Sequence, residues 1–163
     1  MATHNPDSCR QRLGRLLEDE IAAIRELEQA LATELAAITA RDTTAIEQAA
    51  ASKLQGLEKM EALNRQRLAL IGACGFQPDR EGMQSCLEWC DASGVFRHQW
   101  EELLALAGSC RERNRLNHHL VELGSRHMHQ ALCILRGEET DKALYDPLGN
   151  ADDYHDRRTL ARV

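Results

Sequence analysis

Apolar residues recur every three or four positions through three long stretches of the chain, which is the spacing of one face of an α-helix. These stretches cover about residues 8–40, residues 44–73 and residues 100–137. No alternating apolar and polar run of strand type is long enough to compete with them. The sequence therefore predicts an all-α fold, an antiparallel helical bundle of three long coiled-coil-like helices and one short helix.

The predicted inward faces follow from this spacing. In the first helix, a nearly heptad series is expected to face a partner: Leu13, Leu17, Ile21, Ile24, Glu28, Leu31, Leu35 and Ile38. In the second helix, the inward positions are expected to be Ile46, Ala50, Leu54, Leu57, Met60, Asn64, Leu68 and Ile71.

The connections are marked by capping residues and helix breakers. Asp42 and Thr44 can each accept a hydrogen bond from a free backbone N–H and start the second helix, so the first two helices are expected to form a hairpin. Glycine and proline make residues 72–82 a connection. A short helix is predicted for residues 81–92, with Met83, Leu87 and Trp89 as its apolar residues, and Ser93-Gly94 breaks it.

The third long helix carries two asparagines on its apolar seam, where they are expected to face a partner helix. The seam consists of Trp100, Leu103, Ala107, Cys110, Asn114, Asn117, Val121, Gly124, Met128, Ala131 and Leu135. Polar residues on such a seam lower stability, and two interpretations explain them. Either they fix helix register, or they bind an amphipathic helix of another protein together with Val121, Met128, Leu132 and Leu135.

The pattern ends at Gly137, which predicts a helical domain of residues 1–137 and a flexible C-terminal tail of residues 138–163. Within the tail, the turn-forming segment from Tyr145 to Gly149 carries two apolar anchors, Tyr145 and Leu148. A short segment of this kind can become ordered on contact with another protein, so it is a possible docking motif.

Composition limits the location and the partners. The 163-residue chain has a formal net charge of −6, which does not suggest general binding to nucleic acid or to an anionic membrane. No apolar run has the roughly 20 residues of a membrane span and no signal sequence is evident, so a cytoplasmic protein is expected. The six cysteines are scattered through helical pattern and are expected to be free thiols.

Candidate chemistry is sparse, and the sequence predicts a protein that is not an enzyme and has no cofactor. The acidic run from Glu18 to Glu20 is interpreted as a solvated helix surface. A helical zinc protein stays open as a less favoured alternative. Its possible ligands at helical spacing are Cys86 with Cys90 and His129 with Cys133, near His118, His119 and His127. A purely structural coiled-coil scaffold is the other alternative.

Several features together resemble the FlgN family of flagellar export chaperones over about residues 10–150. The main motif runs from Cys110 to Asn117, after a helix break and Trp100. It is followed by a long helix that ends in Leu135-Arg136-Gly137 and by Tyr145 four residues before a glycine. The first two helices are similar to the family layout in a smaller set of residues: Glu34, Leu35, Arg41-Asp42, Lys53, Arg65 and Arg67.

This resemblance implies a cytoplasmic chaperone of the flagellar type III secretion system. Its clients would be the hook–filament junction proteins FlgK and FlgL, which it would deliver to the flagellar export apparatus. The resemblance places client binding on the later part of the third long helix and contact with the export gate at Tyr145, with Leu148 beside it. The implied client-binding residues are Asn114, Asn117, Val121, Met128, Leu132 and Leu135.

Overall fold

The computed structural model describes residues 5–136 of the chain, and these residues form four helices. The helices are α1 (Pro6–Ala40), α2 (Thr43–Ala73), α3 (Arg80–Cys90) and α4 (Val95–Arg136). No strand occurs among the described residues. The predicted all-α bundle of three long helices and one short helix is therefore confirmed.

The chain divides into two compact units, Met1–Val121 and Glu122–Val163, and α4 contributes to both. Of the second unit, residues 122–136 are described, and they form the last part of α4. The predicted boundary between a domain of residues 1–137 and a tail of residues 138–163 stays a prediction, because residues 137–163 lie outside the described part.

Local capping explains where α1 begins and ends and where α2 begins. The Asn5 side chain accepts a hydrogen bond from the backbone N–H of Asp7, and Pro6 occupies the first helical position. Arg41 ends α1 in the left-handed conformation, and Asp42 then caps α2 by accepting from the backbone N–H of Ala45. The predicted hairpin is thus formed through a very short turn.

The core of the first unit lies between the apolar faces of the four helices. Helix α1 supplies nearly half of it, and α3 closes one end with an almost fully buried apolar face. The buried core residues are Cys9, Leu13, Leu17, Ile21, Ile24, Leu27, Leu31, Leu70, Ile71, Met83, Cys86, Leu87, Cys90, Leu103 and Cys110.

The predicted inward face of α2 is partly wrong. Leu54 and Leu57 are 57% and 46% exposed, whereas Ala49 and Arg67 are buried. Small residues of α2 face α1 where the two helices approach closely, as at Gly56. Cationic residues of α2 face α1 where α1 presents a carboxylate. A Cβ atom added to Gly56 would lie 3.2 Å from Leu27 Cδ1.

The seam of α1 also differs from the prediction in its second half. Glu28, Leu35 and Ile38 are only partly buried, and the core side is taken by Leu27, Leu31, Glu34 and Ala37. The predicted seam contained Leu35 and not Glu34, but the structure places Glu34 inside, where α2 and α4 each supply a partner for its carboxylate. This change moves the seam by one residue.

Helix α3 is shorter than predicted at its C-terminal end, and the connection before it is shorter too. Gly72 lies inside α2 and Gly82 inside α3, so the two helices are joined by residues 74–79. Met83 and Leu87 are buried as expected. Trp89 is 38% exposed, and its ring lies 5.7 Å from the ring of Phe76.

Helix α4 begins after the predicted Ser93-Gly94 break and runs in the same direction as α1. Gly94 has φ +74°, a backbone conformation that favours glycine, and Asp91 accepts hydrogen bonds from the backbone N–H groups of Phe96 and Arg97. Burial acts to raise the pKa of Asp91, but hydrogen bonds from Ser93 and these N–H groups outweigh it and lower the pKa.

The fully buried residues of α4 are Leu103, Cys110 and Asn117, each seven residues after the last. Asn114 is exposed, which corrects the expectation that both asparagines face a partner helix. Asn114 precedes Asn117 by three residues, which places it about 60° to one side of the buried line of α4. Asn117 keeps the seven-residue spacing and faces α1.

We predict opposite effects for two glycine-to-alanine substitutions. A Cβ atom at Gly82 would collide with the backbone carbonyl of Gln77, so Gly82→Ala should lower the free energy of unfolding by more than about 1 kcal/mol. At Gly108, inside α4, no neighbouring atom lies within 4 Å of an added Cβ atom. Gly108→Ala should therefore raise the free energy of unfolding by up to about 1 kcal/mol. Urea denaturation measures both, and equal effects would contradict the tight approach at Gly82.

Candidate functional site

Three residues from three helices meet in a buried polar cluster, which we call the Glu34 node: Glu34 on α1, Lys53 on α2 and Asn117 on α4. Lys53 Nζ lies 2.7 Å from Glu34 Oε1, and Asn117 Nδ2 donates to Glu34 Oε2 at 2.9 Å. Asn117 Nδ2 also donates to the backbone carbonyl of Leu31 at 2.9 Å. The node therefore links the three long helices through charge-assisted hydrogen bonds.

The orientation of the Asn117 amide follows from its neighbours. Both groups that approach its Nδ2 are acceptors, so a rotated amide would place its oxygen against a carboxylate and a carbonyl. In the orientation present, Oδ1 is buried and has no hydrogen-bond partner among the described residues. This supports a positioning role for Asn117 within the bundle, because its hydrogen-bond donors are already used.

A second cluster, the Arg67 node, consists of Glu20 on α1, Asn64 and Arg67 on α2, and Trp100 on α4. Arg67 Nε lies 2.9 Å and 3.1 Å from the two carboxylate oxygens of Glu20, and one of its terminal nitrogens donates to Asn64 Oδ1 at 2.6 Å. The Arg67 guanidinium lies 4.5 Å from the centre of the Trp100 ring. Hydrogen bonds and a cation–π contact thus surround this cation.

The predicted solvated surface at residues 18–20 is wrong for Glu20. The residue is 0% exposed, while Glu18 and Asp19 are exposed as expected. Burial raises the pKa of Glu20, and the Arg67 guanidinium acts against this by stabilising the carboxylate. Removing one member of such a pair leaves a buried charge without compensation, which typically costs about 3–5 kcal/mol.

Large apolar side chains are exposed on the last part of α4, in residues 122–136. Met128, Leu132 and Leu135 are 67%, 44% and 83% exposed, and Ile134 is 69% exposed. The first three are spaced by four and three residues, so they lie on one face of the helix. An apolar face that stays exposed on a helix is typical of a surface that binds another polypeptide.

The remaining predicted site residues lie in different environments. Asn114 and Val121, in the unit Met1–Val121, are exposed. Asn117, in the same unit, is buried in the Glu34 node. Tyr145 and Leu148, predicted to dock on the export gate, lie outside the described residues.

All six cysteines are free, as expected. Four of them, from three segments, come together at one end of the first unit: Cys9, Cys74, Cys86 and Cys90. The sequence pattern linked Cys86 with Cys90 through their helical spacing. The pattern did not link Cys9 or Cys74 to this pair, because these two cysteines lie on other segments, near the start of α1 and at the end of α2.

The fold defines a small all-α protein whose three long helices are joined by buried polar nodes. A family model described as FlgN protein matches residues 9–153, which is most of the chain. The chain therefore belongs to the FlgN family, a family of flagellar chaperones and not of enzymes. No significant match was found among curated proteins or among solved structures.

The resemblance predicted from the sequence is thus confirmed, and the residues that carried it include most of the two nodes. Glu34, Lys53 and Asn117 form one node, and Arg67 and Trp100 belong to the other. Within residues 5–136, no helix is long and apolar enough to cross a membrane.

We predict that the two asparagines of α4 contribute unequally to stability. Asn117→Ala removes the two hydrogen bonds that the Asn117 amide donates in the Glu34 node and should lower the free energy of unfolding by about 1–3 kcal/mol. Asn114→Ala changes an exposed side chain and should stay within about 0.5 kcal/mol of the unaltered protein. Urea denaturation followed by circular dichroism compares the pair, and equal losses would contradict the assignment of Asn117 to a structural node.

Proposed function

We propose that this protein is a cytoplasmic chaperone of the flagellar type III secretion system. It binds the amphipathic terminal helices of the hook–filament junction proteins FlgK and FlgL, prevents their premature assembly and delivers them to the export apparatus. The observation that carries the proposal is the exposed apolar face formed by Met128, Leu132 and Leu135 on a helix of a FlgN-family protein.

The size of these side chains makes them suitable anchors for a client helix. Complete burial of a leucine or methionine side chain contributes about 1.5–3 kcal/mol. Because each of the three is already partly covered by its own helix, the gain on binding is smaller for each one, and it is largest for Leu135. A modest apolar surface of this kind can hold an amphipathic helix and still release it for export.

The other predicted contacts extend this proposal. Asn114 and Val121 are exposed, so their side chains are available to a client. The buried hydrogen bonds of Asn117 favour a supporting role, in which it fixes the position of α4 relative to α1. Contact of Tyr145 and Leu148 with the export gate is part of the same proposal and lies outside the described residues.

We expect that replacing two exposed leucines of this face abolishes tight client binding. The double variant Leu132→Asp with Leu135→Asp should bind the C-terminal segment of FlgK or FlgL at least about tenfold more weakly, because a charge placed in an apolar contact is left without a partner. Isothermal titration calorimetry with the full-length chain measures the Kd for the client segment.

The matched control is the double variant Leu54→Asp with Leu57→Asp, which places the same charges at exposed leucines of α2. It should change the Kd by less than about twofold, because these residues lie outside the proposed face. Circular dichroism establishes that both variants keep the helical fold. Undiminished binding by a folded variant at Leu132 and Leu135 would exclude this face. Equal losses in both variants would point to general charge repulsion.

A further inference from the structure

Four thiols form a cluster, which we call the cysteine cluster, where the start of α1, the end of α2 and one face of α3 meet. Cys9 Sγ lies 3.7 Å from Cys86 Sγ and 2.7 Å from Cys74 Sγ. The sulfur atoms of Cys9, Cys86 and Cys90 all lie within 4.8 Å of one another. Three of the four residues are almost fully buried, and Cys74 is partly exposed.

The mutual approach of the Cys9, Cys86 and Cys90 sulfurs is close to that in a zinc–thiolate site. Zinc binds cysteine sulfur at about 2.3 Å in a tetrahedron, so the sulfurs of such a site lie about 3.8 Å apart. The Cys9–Cys86 separation already matches this value. The 2.7 Å between the sulfurs of Cys74 and Cys9 is shorter than this value, so zinc binding requires another side-chain rotamer of Cys74, which is partly exposed at the C-terminal end of α2.

We propose that Cys9, Cys74, Cys86 and Cys90 together bind one zinc ion in a structural four-thiolate site. On binding, each thiol releases its proton to solvent and its sulfur forms a bond to the metal, without any change of oxidation state. Thiolate ligands select zinc over the hard cations magnesium and calcium, which prefer oxygen. All four ligands belong to the unit Met1–Val121.

The buried thiols of the cluster need a positive charge nearby to be stable as thiolates. Burial raises the pKa of Cys9, Cys86 and Cys90, which disfavours their thiolate forms in the absence of a cation. A divalent ion supplies the positive charge that stabilises the thiolates. Four thiolates then leave a site of net negative charge, a common property of structural zinc sites.

The structural consequence of zinc binding would fall on α3. This eleven-residue helix is too short to be stable by itself, and it carries two of the four ligands one helical turn apart. A metal shared with Cys9 and Cys74 would fasten it to the beginning of α1 and the end of α2. The site would thus close the end of the bundle opposite the α1–α2 turn.

The test uses the full-length chain, purified under reducing conditions without a metal-affinity tag. Elemental analysis should show about one zinc per chain, and titration of the metal-free protein with Cd²⁺ should give a thiolate–cadmium charge-transfer absorbance that saturates at about one equivalent. Cys9→Ser and Cys74→Ser should each lose stoichiometric binding. Cys74→Ser changes a partly exposed residue, so it is expected to fold even where Cys9→Ser does not.

The control variants are Cys110→Ser, which alters a buried thiol on α4, and Cys133→Ser, which alters one in residues 122–136. Both should bind Cd²⁺ as the unaltered protein does. Less than about one tenth of an equivalent of zinc, together with no charge-transfer absorbance, would overturn the proposal. A disulfide between Cys9 and Cys74 that forms in air, with no metal binding after reduction, would also overturn it and assign the pair to redox chemistry.

Discussion

The fold depends on the pairing of two buried carboxylates on α1 with two cations on α2. Glu20 and Glu34 are separated by fourteen residues, and so are their partners Arg67 and Lys53 on the antiparallel helix. Any other alignment of the hairpin would leave a buried charge without a partner, at a cost of about 3–5 kcal/mol. Apolar contacts alone tolerate a shift of one heptad, so the charges select a single register.

The same two carboxylate sites also determine where α4 lies. The Asn117 amide donates hydrogen bonds to the Glu34 carboxylate and to the carbonyl of Leu31. The Trp100 ring covers the Arg67 guanidinium, which is paired with Glu20. Asn117 is therefore part of the internal support of the bundle. The neighbouring Asn114 is exposed and takes no part in this support.

The main differences in burial between prediction and structure involve charged residues. Hydrophobic periodicity assigned Leu54 and Leu57 to the interior and Glu20 to the surface, whereas the structure exposes the two leucines and buries Glu20. A pattern that ranks residues by polarity cannot recognise a buried charge, because such a charge is tolerated only when its partner arrives from another helix. The burial of Glu34 on α1 was missed for the same reason, since its partners Lys53 and Asn117 come from α2 and α4.

The sequence by itself determined the all-α class, the three long helices, the breaks near residues 41 and 94, and membership in the FlgN family. These features depend on local spacing, capping residues and glycine, which act within a few positions along the chain. Only the tertiary structure decided that Asn117 and not Asn114 faces α1, and that Cys9 and Cys74 join Cys86 and Cys90. Contacts between residues distant in the chain follow from helix register and packing, and the pattern along one helix does not contain that information.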